Sequence, residues 1–284
     1  MFLVNLGIFA KAWAARASAH PRGATGDTDP GDVLASLPFA PDRTPLDAAV
    51  LASLSHDLRT PLACILGSAT ALDDYGVVLD REARSDLVRV IREEAERLNR
   101  FVANLMDMSR LEAGAIAPRL RAVDLASLVA DVRARAARIL IDHTIVLQVP
   151  PRLARPCVDP ILFEQVLFNI LENAAKYSAP GSEIRIRAWW DDARVRLSVS
   201  DEGPGVPAAD VERVFDRFYR VRPLGCSRAG TGLGLAVCQG FVEAMGGSIT
   251  AGNRKDRSGA VFTVVLPIAS DDTPADSRWG RGRD

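Results

Sequence analysis

From Leu46 onward the apolar residues fall into two long helical stripes, and this pattern limits the fold more than any other feature of the chain. Leu46, Val50, Leu54, Leu58, Leu62, Ile65, Ala69 and Leu72 recur at spacings of three and four, which places them on one helical face. Asp73, Asp74, Tyr75 and Gly76 break that run. A second stripe follows through Leu87, Val90, Ile91, Leu98, Phe101, Leu105, Met108 and Leu111, with arginine and glutamate on the opposite face. Gly114 and Pro118 then have the character of a helix stop. Two long helices with a short connection make a hairpin, and a lone hairpin leaves half of its stripe in water. A second copy would bury it in a four-helix bundle, so a homodimer is expected. The alternative is that the stripe packs on the rest of the chain.

Beyond Arg121 the period changes. Thr144 to Val149 alternates like a strand, and Pro160 to Tyr177 reads as a helix with Asp159 as N-cap and Pro160 at its first position. Glu183 to Trp190 and Arg194 to Ser200 read as strands of a hairpin turning at Asp191 and Asp192. Residues 202–232 are loop-like and rich in glycine. Leu233 to Met245 reads as a helix, and Ser248 to Ala251 and Ala260 to Leu266 as closing strands. The expected class is α+β: a helical hairpin, followed by a mixed sheet covered on one face by helices. The division is a leader and linker over 1–42, expected to be poorly ordered, the hairpin over 43–116, an α/β sandwich over 117–268, and a polar tail over 269–284, expected to be disordered.

Composition excludes some classes. The formal net charge of -1 gives no global reason to expect a nucleic-acid partner, so any anion must be held by local charge. Cys64, Cys157, Cys226 and Cys238 show neither metal-ligand spacing nor a disulfide framework, which suits a reducing compartment. Of these, Cys226 sits in the most polar surroundings and is the most reactive candidate. No segment is long enough to cross a membrane as a helix. Phe2 to Ala10 is apolar but short, and no basic region precedes it, so a signal peptide is not expected.

Four constellations carry chemistry. In Ser55-His56-Asp57-Leu58-Arg59-Thr60-Pro61-Leu62, a neutral imidazole is a competent nucleophile, and Asp57 beside it could accept its proton or orient its ring. Alone, such a pair on a helix is more often an ordinary surface or core feature. Pro61 cannot donate to the carbonyl of Asp57, which favours a bend just past His56. In Asn169-Ile170-Leu171-Glu172-Asn173-Ala174-Ala175-Lys176-Tyr177, two amides four apart share a helical face. One amide oxygen with phosphate oxygens and water would satisfy Mg²⁺, and Lys176 could reach a phosphate. Asp201-Glu202-Gly203-Pro204-Gly205-Val206 ends a strand with a carboxylate ahead of a glycine turn, and that carboxylate could accept from the amino group of a base such as adenine. Gly230-Thr231-Gly232-Leu233-Gly234-Leu235 opens a helix with uncrowded N–H groups, an anion site in principle. Five arginines and a single acid, Asp216, between 213 and 228 add local positive charge.

Each signal is modest, but their order over roughly 180 residues is specific. The chain resembles the sensor histidine kinases of two-component systems over residues 46–267. Ser55 to Leu62 is similar to their H-box, Asn169 to Tyr177 to the N-box and Asp201 to Val206 to the G1 box. Phe215-Asp216-Arg217-Phe218-Tyr219-Arg220 is similar to the F-box, and Gly230 to Leu235 to the G2 box. Leu51 to Leu62 and Gly240-Phe-Val-Glu-Ala-Met-Gly-Gly247 further resemble the potassium-responsive KdpD subfamily. Members of that subfamily carry a large N-terminal sensor region and four membrane helices, neither of which is found in these residues.

The resemblance implies a dimeric histidine-phosphotransfer hairpin followed by a Bergerat-type ATP-binding domain. By motif position, Asn173 would hold Mg²⁺ with support from Asn169. Lys176 would contact phosphate, Tyr177 would line the adenine pocket and Asp201 would read the adenine amino group. Gly203, Gly205, Gly230, Thr231, Gly232, Leu233 and Gly234 would shape the lid and phosphate seat. His56 would take the γ-phosphate of ATP, with Asp57 as base or orienter, and pass it to an aspartate of a response regulator. Thr60, one turn past His56, would assist regulator dephosphorylation. The expected location is cytoplasmic, with the membrane met only through a missing sensor region or a partner. An ATPase of the chaperone, topoisomerase or mismatch-repair type would share the ATP site but lack the His-bearing hairpin. A non-catalytic dimerisation module would need broken ATP motifs, and none is broken.

Overall fold

The structure is a computed structural model that describes residues 45–150, 153–191, 193–221 and 231–269, with side chains from Leu58 onward. The expected leader, Cys226, Gly230 and the polar tail lie outside the described residues.

Helix α1 (Pro45–Tyr75) and helix α2 (Arg81–Glu112) form the hairpin. Helix α1 continues through Pro61 and through Asp73, Asp74 and Tyr75, so the break falls later than the sequence pattern suggests, at Gly76. The backbone leaves the helix there in a conformation that needs glycine: a Cβ on Gly76 would lie 2.3 Å from the Leu72 carbonyl oxygen. Asp80 then caps α2, its Oδ1 accepting from the Ala83 N–H at 2.7 Å. At the far end Gly114 takes φ +60°. Its N–H donates to Leu111 O and that of Ala115 to Arg110 O, closing the helix in a Schellman pattern.

The two apolar stripes have different fates. Of the stripe positions on α1, Leu62 stays exposed in the single chain; Leu66 of α1 and Val88, Val102 and Met106 of α2, which lie outside the stripes, are exposed as well. Phe101 and Met108 are buried, and Met108 belongs to the core of the following domain. Leu111 packs where Gly240 leaves room; a Cβ there would meet its Cδ1 at 2.6 Å. The C-terminal part of the α2 stripe thus packs on this chain, while Leu62 of the α1 stripe and several apolar residues beside the stripes remain uncovered.

The second part contains α3 (Leu125–Arg135), α4 (Pro160–Tyr177), α5 (Gly234–Ala244) and seven strands. Strands β2 (Thr144–Gln148), β4 (Glu183–Trp190), β5 (Arg194–Ser200), β7 (Ala260–Pro267) and β6 (Ser248–Asn253) form one sheet in that spatial order. Only the β2–β4 pair is parallel, which makes the sheet mixed. Burial alternates along β4 and β7, so one face is apolar and helix-covered while the other carries Arg185, Arg187 and Thr263. Between 121 and 144, where the sequence expectation names no element, α3 buries Leu125, Leu128, Val129 and Val132. A short antiparallel pair, β1 (Arg121–Ala122) with β3 (Cys157–Val158), is also new. The core is continuous: Phe163, Ile170, Leu171, Ile184, Leu197, Phe241 and Leu266 are almost wholly shielded. Burial of each such side chain contributes about 1.5–3 kcal/mol. Among the described residues, no helix is long and apolar enough to cross a membrane.

One carboxylate fixes the helix that carries the two asparagines. Asp159 is buried, and its Oδ1 accepts from the N–H groups of Ile161 at 3.0 Å and Leu162 at 3.4 Å. Its Oδ2 accepts from the Arg119 N–H at 2.8 Å, tying α4 to the segment leaving the hairpin. Asp159→Ala should cost about 1–2 kcal/mol through the lost cap, seen as a lower urea midpoint, and Asp159→Asn should lose less.

Candidate active site

A cavity of about 500 Å³ opens between the end of α4, the turn after β5, the start of α5 and the inner face of α2. Of the residues singled out in the sequence, Asn169, Asn173, Lys176, Tyr177, Asp201, Gly205, Thr231, Gly232 and Gly234 line it. Gly203 and Leu233 are buried outside it. Gly230 is not among the described residues. His56 and Asp57 lie on the backbone of α1, with their side chains outside the described set, and Thr60 is exposed one turn further on.

Asp201 is built in from three sides. It is only 3% exposed. Its Oδ1 accepts from the Gly203 N–H at 2.8 Å and the Ala260 N–H at 3.1 Å. Its Oδ2 has no protein partner among the described residues, and the residue borders the cavity, so one oxygen is available to a donor entering from solvent. Gly203 must be glycine for this: a Cβ there would lie 2.9 Å from both Asp201 Oδ1 and the Tyr177 carbonyl oxygen. Burial pushes the Asp201 carboxyl above the ordinary aspartate value, while its two backbone hydrogen bonds and the nearby Arg254 charge oppose that shift.

The glycine turn is clamped by a residue that the motifs do not reveal. Asn253, at the end of β6, accepts from the Val206 N–H at 2.7 Å and donates to the Val206 carbonyl at 2.6 Å. Gly205 has φ +79°, and a Cβ on it would lie 2.6 Å from Asn253 Oδ1. Behind the turn Arg254, its side chain 3% exposed, reaches the Asp201 carbonyl at 3.4 Å and pairs with Asp256 at 2.7 Å. Arg257 bonds Glu202 at 2.6 Å. Neither Asn253 nor Arg254 sits in a recognisable motif.

The floor and walls differ in chemistry. Val206, Val214, Ala260 and Phe262 give an apolar side suited to a flat heterocycle. Lys176, Arg97, Arg100 and Arg220 bring cationic groups to the same cavity. Helix α5 starts at Gly234 without a side-chain cap, leaving first-turn N–H groups for an anion. Gly232, at φ +69°, packs on the F-box backbone; a Cβ there would lie 2.7 Å from Phe218 C. The Phe218 N–H donates to Gly232 O at 3.0 Å, and Phe218 itself holds φ +61°, a strained backbone for a bulky residue. Tyr219 donates to Asp210 and stacks under Arg213 at 4.1 Å.

The asparagine helix has an open valence. Asn169 Nδ2 is buried and has no hydrogen-bond partner among the described residues. The Cys238 thiol beside it is a poor acceptor and donates instead to Val166 O at 3.7 Å. Nothing would approach a Gly234 Cβ closer than this same Asn169 nitrogen, at 4.0 Å, so room remains between α4 and the start of α5. Among the described residues no cluster of three or more His, Cys, Asp or Glu could hold a metal ion. Cys64, Cys157 and Cys238 are free, and burial pushes the Cys238 thiol up to about 12, leaving it inert.

Helix α2 contributes what the motifs did not. Arg97, Arg100, Phe101 and Asn104 recur on one face and close the cavity from the hairpin side. Arg100 Nε lies 3.2 Å from Glu172 Oε1 on α4, and Asp107 accepts from Gln165 at 2.7 Å. The Arg100–Glu172 pair is half-exposed, so it is worth only about 0–1 kcal/mol.

Comparison with known proteins fits both halves of this arrangement. A family model for the His Kinase A (phospho-acceptor) domain matches residues 47–114, and one for the histidine kinase-, DNA gyrase B- and HSP90-like ATPase matches residues 158–270. This chain is a sensor histidine kinase transmitter. It is 35% identical to the sensor protein KdpD of Clostridium acetobutylicum over 227 residues, 80% of this chain and 25% of that protein. It is 31% identical to the circadian input-output histidine kinase CikA of Synechococcus elongatus over 224 residues, 76% of this chain and 29% of that protein. The solved structure of full-length ShkA in complex with AMPPNP shares 32% identity at a TM-score of 0.55, over 80% of this chain and 46% of that one. The transmitter thus spans little more than a quarter of the curated relatives' length, and its relatives include kinases other than KdpD.

Asp201→Asn tests whether this carboxylate accepts a hydrogen bond from a bound adenine base. The amide can keep an oxygen on the Gly203 and Ala260 N–H groups only by turning its NH₂ toward the cavity, donor against donor. Affinity for an adenine nucleotide should fall roughly tenfold to hundredfold, measured by calorimetry. In the wild-type transmitter that affinity should fall as pH drops through the raised Asp201 value, earlier than for an ordinary aspartate. Because the folded state holds this proton more tightly than the unfolded chain, the Asp201 contribution to stability has the opposite slope. It declines as pH rises from the ordinary aspartate value to the raised one.

Proposed function

We propose that this transmitter binds ATP with Mg²⁺ in the cavity, phosphorylates His56 and passes the phosphoryl group to an aspartate of a response regulator. The observation that carries the reading is the convergence of Asn173, Lys176, Asp201 and the uncapped start of α5 on one cavity. Asp201 offers an acceptor for the adenine amino group, and the apolar wall offers a surface for the ring. Lys176 and the N–H groups of α5 offer donors for phosphate. Asn173, with Asn169 beside it, would hold Mg²⁺ through its amide oxygen, and the orphaned Asn169 Nδ2, a donor, suits a phosphate or water oxygen there. When bound, Mg²⁺ supplies charge neutralisation on the phosphate oxygens. The nucleotide analogue in the ShkA complex supports the same use of this fold.

In the reaction an imidazole nitrogen of His56 attacks the γ-phosphorus. The bond from that phosphorus to its bridging oxygen breaks, and ADP leaves with the electron pair. The remaining imidazole proton is held or accepted by Asp57. The phosphoryl group then moves to a regulator carboxylate, restoring neutral His56. The uncovered apolar residues of the hairpin, Leu66, Val88, Val102 and Met106, support a homodimer that buries them in a four-helix bundle. The segment matches at Leu51 to Leu62 and Gly240 to Gly247 support a KdpD-like lineage.

Incubation with γ-labelled ATP and Mg²⁺ should place acid-labile, base-stable label on the chain and none on His56→Gln; label that persists in the variant sinks the proposal. A regulator phosphatase activity is the secondary reading, favoured by the exposure of Thr60 one turn past His56. Thr60→Ala should slow regulator dephosphorylation about tenfold or more with autophosphorylation retained. Unchanged dephosphorylation removes this reading.

A further inference from the structure

We infer that Arg100 of the hairpin, with Arg97 beside it, leaves its carboxylate partner to bind the γ-phosphate of the nucleotide and present it at the level of His56. This rests on the kinase reading and adds a residue that lies outside all of the ATP-site motifs.

Three observations carry it. The first is position. His56 lies nineteen residues before Tyr75, the last residue of α1, and Arg100 lies nineteen after Arg81, the first of α2. At about 1.5 Å rise per residue the two therefore stand at the same height on an antiparallel hairpin. The second is that Arg97 and Arg100 border the same cavity as Asn173, Lys176 and Gly234, and the contact of Arg100 with Glu172 puts it beside Asn173, so the hairpin supplies cationic groups near the phosphate donors. The third is how these arginines are held. Arg100 Nε pairs with Glu172 at 3.2 Å and Arg97 Nη1 with Glu94 at 3.2 Å, with every partner partly exposed. Pairs this exposed contribute little, so exchanging them for a phosphate is easy.

The exchange has a physical direction. A terminal phosphate carries more charge than one carboxylate and matches the planar guanidinium fork with two parallel hydrogen bonds. Glu172, once released, is partly exposed, so water can solvate its charge. ADP lacks the γ-phosphate and gives Arg100 no reason to leave Glu172. Arg100 is thus predicted to tell a triphosphate from a diphosphate and to bring the two halves of the transmitter together around the former.

The test uses the full chain, with Mg²⁺, AMPPNP and ADP as probes. Arg100→Ala should lower the preference for AMPPNP over ADP about tenfold while ADP affinity stays within about twofold. Its phosphohistidine formation should fall by about tenfold or more. Arg100→Lys, which keeps the charge and loses the fork, should fall between. Two outcomes overturn the inference: equal losses for both nucleotides, or faster phosphohistidine formation, which would mark the ion pair as a restraint only. Should Arg100→Ala fail to fold, Arg100→Gln with the same readouts decides. The binding comparison needs no chemistry at His56, so it stands even if the wild-type chain takes no label. That failure would count against the kinase reading alone.

Discussion

The structure around the cavity depends on one buried carboxylate. Asp201 sits at the end of a central strand, where burial disfavours its charge, and two backbone N–H groups make that charge tolerable. Those donors belong to Gly203 and Ala260, so the same bonds fix the glycine turn and the start of β7. Asn253 locks the next residues of the turn, and Arg254 holds the Asp201 carbonyl from behind. The result is a turn with little freedom and a single carboxylate oxygen aimed at the cavity. A buried charge held this way would discriminate strongly between a ligand that donates to it and one that does not.

The hairpin is part of the site, not only its neighbour. Met108 and Leu111 anchor the end of α2 on the α/β domain, and Arg97, Arg100 and Asn104 then face the cavity from the same side of the helix. Apolar contact sets the docking, while the polar contacts across it are weak and exchangeable. Strong packing low on α2 provides a pivot, and half-exposed ion pairs higher up provide contacts that can be remade.

Much of this was legible in the sequence, for reasons that differ by element. Helix α4 and strands β4 and β5 run over the residues that the periodicity indicated, because their caps and turns are local: Asp159 and Pro160 open the helix, and Asp191 turns the hairpin. Helix α3 escaped notice although Leu125, Leu128, Val129 and Val132 carry helical spacing behind an Asp124 cap. Its eleven residues are interleaved with alanine and arginine, which blurs the apolar face. Of the four residues expected to break α1, Asp73, Asp74 and Tyr75 still belong to the helix and only Gly76 lies beyond it, because acidic residues are tolerated in a last turn whereas the backbone at Gly76 needs glycine. Asp201, Asn173 and Lys176, which line the cavity, stood out in the sequence because each lies in a motif with a stated chemistry. Asn253, Arg254, Arg97 and Arg100 were not, because their roles arise from tertiary approach. Asn253 is distant in sequence from the turn it clamps, and the α2 arginines look like the solvated face of an ordinary amphipathic helix.

Hydrogen exchange of the whole chain with and without AMPPNP and Mg²⁺ tests the central claim most directly, because it reports which backbone groups the nucleotide covers without requiring turnover. The account predicts new protection at the Gly203 and Ala260 amides, at the first turn of α5 from Gly234, and along Arg97 to Asn104 of α2. Nucleotide binding that leaves these amides unchanged, or that protects a different part of the sheet, would contradict it.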